Sequence, residues 1–189
     1  MATFSATTGD DSFSGSTGND LFNFLTSWGG SDQANGKSGI DTLNVDMTGL
    51  SGPDTFSLVL SVSGSFYGGF VTPGDSWLDY DGMEVVNARL SNANDRVMVD
   101  GSALKSAGTN LVLDGGAGID TLDLDMSVFS GISFQVAADG PVVSSYGTFR
   151  NFENYNITIG GGVNSIVTQG GNDSVVAMYA GNNSVSTNS

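Results

Sequence analysis

A glycine–aspartate turn signature returns along this chain at intervals of nine or ten residues, and few folds accommodate so short a period. Its fullest copy is Gly115-Gly116-Ala117-Gly118-Ile119-Asp120-Thr121-Leu122-Asp123. The pattern is G-G-x-G-x-D-x-U-x, with U a large apolar residue. The glycines permit positive φ and leave backbone carbonyls uncovered. The aspartate adds a hard carboxylate oxygen of the kind Ca²⁺ prefers. Beyond it, Leu122, Leu124 and Met126 alternate with Asp123, Asp125 and Ser127. That alternation predicts a strand with one buried face. The same text stands earlier, as Gly36-Lys37-Ser38-Gly39-Ile40-Asp41-Thr42-Leu43-Asn44. The shared Gly-Ile-Asp-Thr-Leu marks an internal duplication.

Weaker copies occupy much of the remaining sequence. Gly9-Asp10-Asp11-Ser12-Phe13 and Gly18-Asn19-Asp20-Leu21-Phe22 lie nine residues apart, and Gly30-Ser31-Asp32 stands nine before Gly39-Ile40-Asp41. Gly108-Thr109-Asn110-Leu111-Val112 comes ten before the fullest copy. Gly162-Val163-Asn164, Gly171-Asn172-Asp173 and Gly181-Asn182-Asn183 close the series. Ordinary Asp/Asn-Gly turns between strands have the same composition. They have no reason to hold a nine-residue register.

These turns make the chain resemble the RTX (repeats-in-toxin) family, over residues 9–45, 108–126 and 162–186. The resemblance implies a parallel β-roll or β-helix with Ca²⁺ in rows between successive turns. For many members it also implies export from Gram-negative bacteria by type I secretion. Carried over position by position, it implies carboxylate ligands at Asp11, Asp20, Asp32, Asp41, Asp120 and Asp173. It implies further metal contacts at the turn glycines Gly39, Gly116, Gly118 and Gly171, with backbone carbonyls as co-ligands. The chain departs from the pattern where Asn110, Asn164 and Asn183 replace the aspartate and where Lys37 and Ser38 interrupt the glycines. An amide oxygen is a weaker Ca²⁺ ligand than a carboxylate, so the Asn turns are expected to hydrogen-bond to one another instead.

Composition agrees with turn-borne metal sites. The chain has 20 acids and 5 bases, a net charge of −15, and only Glu84 and Glu153 among the acids are glutamates. Such a bias selects the short side chain that fits tight turns. Uncompensated negative charge opposes compaction, and bound cations relieve it. It also makes nucleic acid and anionic membranes poor partners. With no Cys and no His, disulfides, His-ligated zinc and Ser-His or Cys-His catalysis are excluded. No apolar run reaches the length of a membrane helix, so membrane insertion is not expected. The opening Met1-Ala2-Thr3-Phe4 lacks the basic and apolar regions of a Sec-type signal.

At 189 residues one domain is expected, with a tract of turns at 1–35, a first module at 36–107 and a second at 108–189. The fold class follows as all-β: a right-handed parallel β-solenoid with loop or strand excursions. The runner-up is an antiparallel β-sandwich, favoured by the strand-like Phe56–Val62. After each Gly-Ile-Asp-Thr-Leu strand comes an irregular excursion, roughly Gly49 to Asp81 and Phe129 to Thr148, then a closing strand with Glu84 or Glu153 near its start. Their shared context makes the two glutamates structural rather than catalytic. Phe66, Tyr67, Phe70, Trp77 and Tyr80 crowd the first excursion. They either close a small satellite core or offer Tyr67, Trp77 and Tyr80 to a glycan or a partner protein. The function expected is an extracellular, non-enzymatic, Ca²⁺-binding structural protein at the surface of a Gram-negative cell. It would assemble with copies of itself or with matrix components into a layer, matrix or filament. The alternative is a calcium-folding accessory or polysaccharide-binding module of a larger secreted enzyme or adhesin.

Overall fold

The computed structural model describes residues 1–25, 28–50, 52, 55–60, 66–71, 76–101, 110–136, 142–144, 147–177 and 179–188. It is built almost wholly of short strands, numbered here along the chain, in three sheets. In the first, the spatial order is β1 (Thr3–Ser5), β3 (Leu21–Phe24), β5 (Thr42–Asp46), β9 (Val85–Arg89), β11 (Asn110–Asp114), β15 (Gly147–Arg150) and β14 (Val142–Ser144). In the second, it is β18 (Ser174–Ala177), β16 (Asn154–Ile159), β12 (Thr121–Met126), β10 (Arg96–Val99), β6 (Thr55–Leu60), β7 (Phe66–Val71), β8 (Trp77–Met83), β4 (Ser31–Asn35) and β2 (Ser12–Ser14). The third holds β13 (Ser133–Gln135), β17 (Asn164–Gln169) and β19 (Asn183–Asn188).

Pairing is parallel throughout, except at β6–β7, β7–β8 and β14–β15. That is not the pairing of an antiparallel sandwich. From β1 to β5 successive strands alternate between the first and second sheets, so each strand pairs with one two positions away in sequence. Parallel neighbours require such a crossover, since a two-residue hairpin joins only antiparallel strands.

The alternation read from sequence is the alternation of burial. In β12, Leu122, Leu124 and Met126 face inward while Thr121, Asp123 and Asp125 face outward. Leu43 and Val45 do the same in β5, and Tyr155, Ile157 and Ile159 in β16. Each such Leu or Ile contributes about 1.5–3 kcal/mol on burial. These side chains join one hydrophobic core that runs from Phe22 to Ile166. On the outer face of the first sheet, Asn44 donates to Asn23 at 2.9 Å and Asn87 donates to Asn44 at 2.9 Å. Beside this ladder runs a charge column, Asp46, Arg89, Asp114 and Arg150, each in register with the next.

The first excursion differs from its sequence reading. It is not an irregular segment laid over the strands. β6, β7 and β8 form an antiparallel meander set into the second sheet, with β6 parallel to β10 and β8 parallel to β4. Phe70, Leu78 and Tyr80 enter the common core, so they do not make a separate satellite core. The second excursion likewise contributes β13 to the third sheet and a β14–β15 hairpin to the first. The duplicated strands part company: β5 and β9 lie in the first sheet, and their copies β12 and β16 in the second.

Candidate functional site: two oxygen-lined turns

The duplication is sharper in three dimensions than in sequence. Each copy comprises three successive turns. The first carries Asn19-Asp20 or Asn94-Asp95, the second Ile40-Asp41 or Ile119-Asp120, and the third Glu84 or Glu153. The amide of Ile40 donates to Asn19 Oδ1 at 3.0 Å, and that of Ile119 to Asn94 Oδ1 at 2.9 Å. The Asp20 amide donates to Asp41 Oδ1 at 2.7 Å, and the Asp95 amide to Asp120 Oδ1 at 2.8 Å. The Asp41 and Asp120 amides in turn donate to Glu84 and Glu153 Oε2, both at 2.8 Å. The two glutamates, equivalent in sequence, therefore take equivalent places in these ladders.

Each central aspartate spends one carboxylate oxygen on this ladder and leaves the other without a donor. Oδ2 of Asp41 and Oδ2 of Asp120 are buried and lack any hydrogen-bond partner. The close approach of a glycine shows what lies beside them. A Cβ on Gly36 would collide with the Gly82 carbonyl oxygen and lie 2.8 Å from Asp41 Oδ2. A Cβ on Gly115 would collide with the Asn151 carbonyl oxygen and lie 2.8 Å from Asp120 Oδ2. Both carbonyls belong to left-handed residues, Gly82 at φ 71° and Asn151 at φ 54°. A side chain rarely adopts that conformation. In both copies an unpartnered carboxylate oxygen and a backbone carbonyl oxygen thus lie close to the same glycine.

Electrostatics follow the same logic. Burial pushes the Asp120 carboxyl up to about 7; the Asp95 amide opposes this, and the charges of Asp95, Glu153 and Asp114 add to it. Burial also raises Asp41, Asp32 and Glu84 above the ordinary carboxylate range. Asp20, in the same motif, is lowered because the Ala2 and Ser16 amides donate to it, helped by the Ser16 hydroxyl.

A hard divalent cation fits the donor set at Asp41 and Asp120. Both members of that set are hard oxygens, one a carboxylate and one a backbone carbonyl beside the same glycine, and an orphaned buried carboxylate oxygen is costly until something positive reaches it. Among the described residues, no three or more Asp, Glu, His or Cys side chains come together as a metal group. Any further ligands would therefore be backbone oxygens or water.

The other sequence candidates fare differently. Asp32 also has a buried, unpartnered Oδ2, while its Oδ1 accepts from the Asp11 amide at 2.8 Å. Asp11 Oδ2 accepts from the Thr7 amide at 2.7 Å and hydroxyl at 2.9 Å. Asp173 Oδ1 accepts from the Tyr155 amide at 2.9 Å. Gly39, Gly116, Gly118 and Gly171 all have positive φ and sit where a Cβ would strike the backbone of a neighbouring turn. Their evident role is close stacking. Asn164 donates to Asn183 Oδ1 at 2.7 Å, the Asn-to-Asn bond foreseen for these turns. The turn at Gly108-Thr109 lies outside the described residues. Of the aromatic candidates, Tyr67 is exposed and Trp77 half-buried, but Tyr80 is buried against Phe70. Its ring is out of reach of a glycan, which corrects its assignment as a contact residue. Asp95 was missed. It has no glycine two residues before it, but Ser91 and Asn94 stand at the spacing of Ser16 and Asn19 from Asp20. That spacing was the signal.

No helix among the described residues is long and apolar enough to cross a membrane. Compared with known proteins, the chain matches no family model and no curated protein sequence.

Proposed function

We propose that this chain is an extracellular structural protein, folded as a right-handed parallel β-solenoid and stabilised by Ca²⁺ at its duplicated turns. The observation that carries the reading is the pair of equivalent, donor-free oxygen sites at Asp41 and Asp120. Bound there, Ca²⁺ supplies the positive charge that both buried oxygens lack. The chain's own residues do the rest. Gly36 and Gly115 let the neighbouring backbone approach closely, Gly82 and Asn151 bring a carbonyl beside the aspartate, and Glu84 and Glu153 hold the aspartate backbones in place. Sites with so few anionic ligands suit the weak binding of extracellular modules, which meet Ca²⁺ at millimolar concentration.

The structural role is supported by how the polar side chains are used. The turn Asp, Asn and Glu groups bond to neighbouring coils. That is scaffold chemistry, in which each coil is stabilised mainly by its neighbours, and it favours a non-enzymatic role. Self-association is part of the proposal. β18 and β19 are mostly exposed, with Val176, Tyr179 and Val185 uncovered beside them. Such strands offer an edge on which another copy can stack.

Thermal unfolding with and without Ca²⁺ tests the metal. Millimolar Ca²⁺ should raise Tm over that in excess chelator, by a stabilisation of about 2.7 kcal/mol per site at a hundredfold excess over Kd. Mg²⁺ should do much less, because it dehydrates reluctantly and prefers a small octahedral site. Superimposable melting curves in chelator and in Ca²⁺, with metal-free protein confirmed by elemental analysis, would refute the reading.

A further inference from the structure

Three turns share one cradle, but only two of them lack a donor. At Asp20, a Cβ on Gly15 would lie 2.5 Å from the Gly36 carbonyl oxygen and 3.0 Å from Asp20 Oδ2. That is the arrangement found at Gly36 and at Gly115. Here, however, Ser16 donates to Oδ2 from its amide at 2.5 Å and from its hydroxyl at 2.8 Å. Ser16 stands four residues before the aspartate. At the same position Thr7 donates twice to Asp11, and Ser91 Oγ reaches both carboxylate oxygens of Asp95, at 3.2 and 3.1 Å. In the orphaned turns that position holds Lys37 before Asp41, Gly116 before Asp120 and Trp28 before Asp32. Lys37 and Gly116 are left-handed, at φ 70° and 91°; Thr7, Ser16 and Ser91 are not. A hydroxyl residue at this position accompanies a partnered aspartate, and its absence accompanies an orphaned one; Lys37 and Gly116 are left-handed there, and Trp28 before Asp32 is not.

We propose that the hydroxyl residue four positions before the aspartate is a built-in substitute for the cation. The turns at Asp11, Asp20 and Asp95 close without an ion, and ion binding is confined to the donor-free turns, of which Asp41 and Asp120 are the matched pair. This inference rests on the Ca²⁺ reading above. Its physical basis is charge balance at Oδ2. At Asp11 and Asp20 an N–H and an O–H present their positive ends to the same oxygen that a cation would approach; at Asp95 the Ser91 hydroxyl lies between the carboxylate and the Gly52 carbonyl oxygen. An ion entering such a turn would have to displace both donors and leave them unpaired in a buried place. Where the backbone is left-handed and the side chain is not a hydroxyl, nothing competes. The ion count is then set by one residue per turn, and the count of G-x-D motifs overstates it.

Native mass spectrometry of the full chain in Ca²⁺, with circular dichroism to confirm folding, tests this. Relative to the parent chain, Asp120→Asn should lose one ion, and Asp20→Asn should lose none. Ser16→Gly should gain one, because glycine there can take the left-handed form of Gly116 and withdraw both donors. A folded Asp20→Asn that loses an ion as Asp120→Asn does would overturn the substitution while leaving the Ca²⁺ reading intact. So would a folded Ser16→Gly with the parental count. Should Ser16→Gly not fold, the comparison of Asp20→Asn with Asp120→Asn decides alone. A parent chain that binds no ion sinks both this inference and the reading on which it rests.

Discussion

Asp120 is the residue on which pH and the proposed metal would meet. Its carboxyl, raised to about 7 mainly by burial, holds a proton in the folded chain that the unfolded chain, near pKa 3.9, has already released. Between these values the folded state binds more protons, so without metal stability falls as pH rises. The contribution is complete below about pH 4 and gone above about pH 7. Asp32, Asp41 and Glu84 act in the same direction. Asp20, lowered by its donors, acts oppositely in more acid solution. In excess chelator, Tm is therefore expected to be higher at pH 5 than at pH 7.5, and Asp120→Asn should shrink that difference. A Tm that drops steadily on acidification over this range would contradict the assignment. Because a cation and a proton compete for one oxygen, Ca²⁺ should bind more tightly as pH rises.

At the scale of the turn, the two copies are equivalent in bonding and unequal in strain. Lys37 adopts at φ 70° the conformation that Gly116 adopts at 91°. A side chain in that region costs about 1–2 kcal/mol, whereas glycine enters it freely. Lys37→Gly should accordingly stabilise the chain by about 1 kcal/mol in denaturant unfolding with chelator, reduced by glycine's larger unfolded-state entropy. Loss of stability in that variant would show that the lysine side chain has a role of its own. Turns of this kind were the most legible part of the sequence. Glycine, aspartate and the following apolar alternation are local signals, and they located β5 and β12 with their inward faces. Asp95 escaped because Ala93 stands where a glycine was sought. Only one strand of the β6–β8 meander was legible, through Phe56–Val62, and its place in the sheet escaped for another reason. Its partners β4 and β10 are distant in sequence, and no local pattern states that a segment joins a sheet. The oxygen-lined sites were half legible. Asp41 and Asp120 stood out, but whether Oδ2 finds a donor depends on the residue four positions earlier, and the carbonyl oxygen nearby comes from a turn distant in sequence.

Across the whole molecule, charge and edges bear on the proposed association. A chain of net charge −15 repels its copies, and cations bound or condensed on it weaken that repulsion. Light scattering should thus report larger particles in millimolar Ca²⁺ than in chelator, with elongated assemblies in negative-stain images if stacking is head-to-tail. A folded monomer at high concentration in Ca²⁺ would contradict self-association and favour an accessory module. The column Asp46, Arg89, Asp114, Arg150 acts at the same scale during folding. Stacked strands with similar inward faces are exchangeable as far as the core can tell. The column makes them distinguishable: pairing β5 with β11 in place of β9 would set Asp46 against Asp114, and pairing β9 with β15 would set Arg89 against Arg150. Alternating sign across the sheet thus reads out strand order, penalising a strand that docks one place out of sequence.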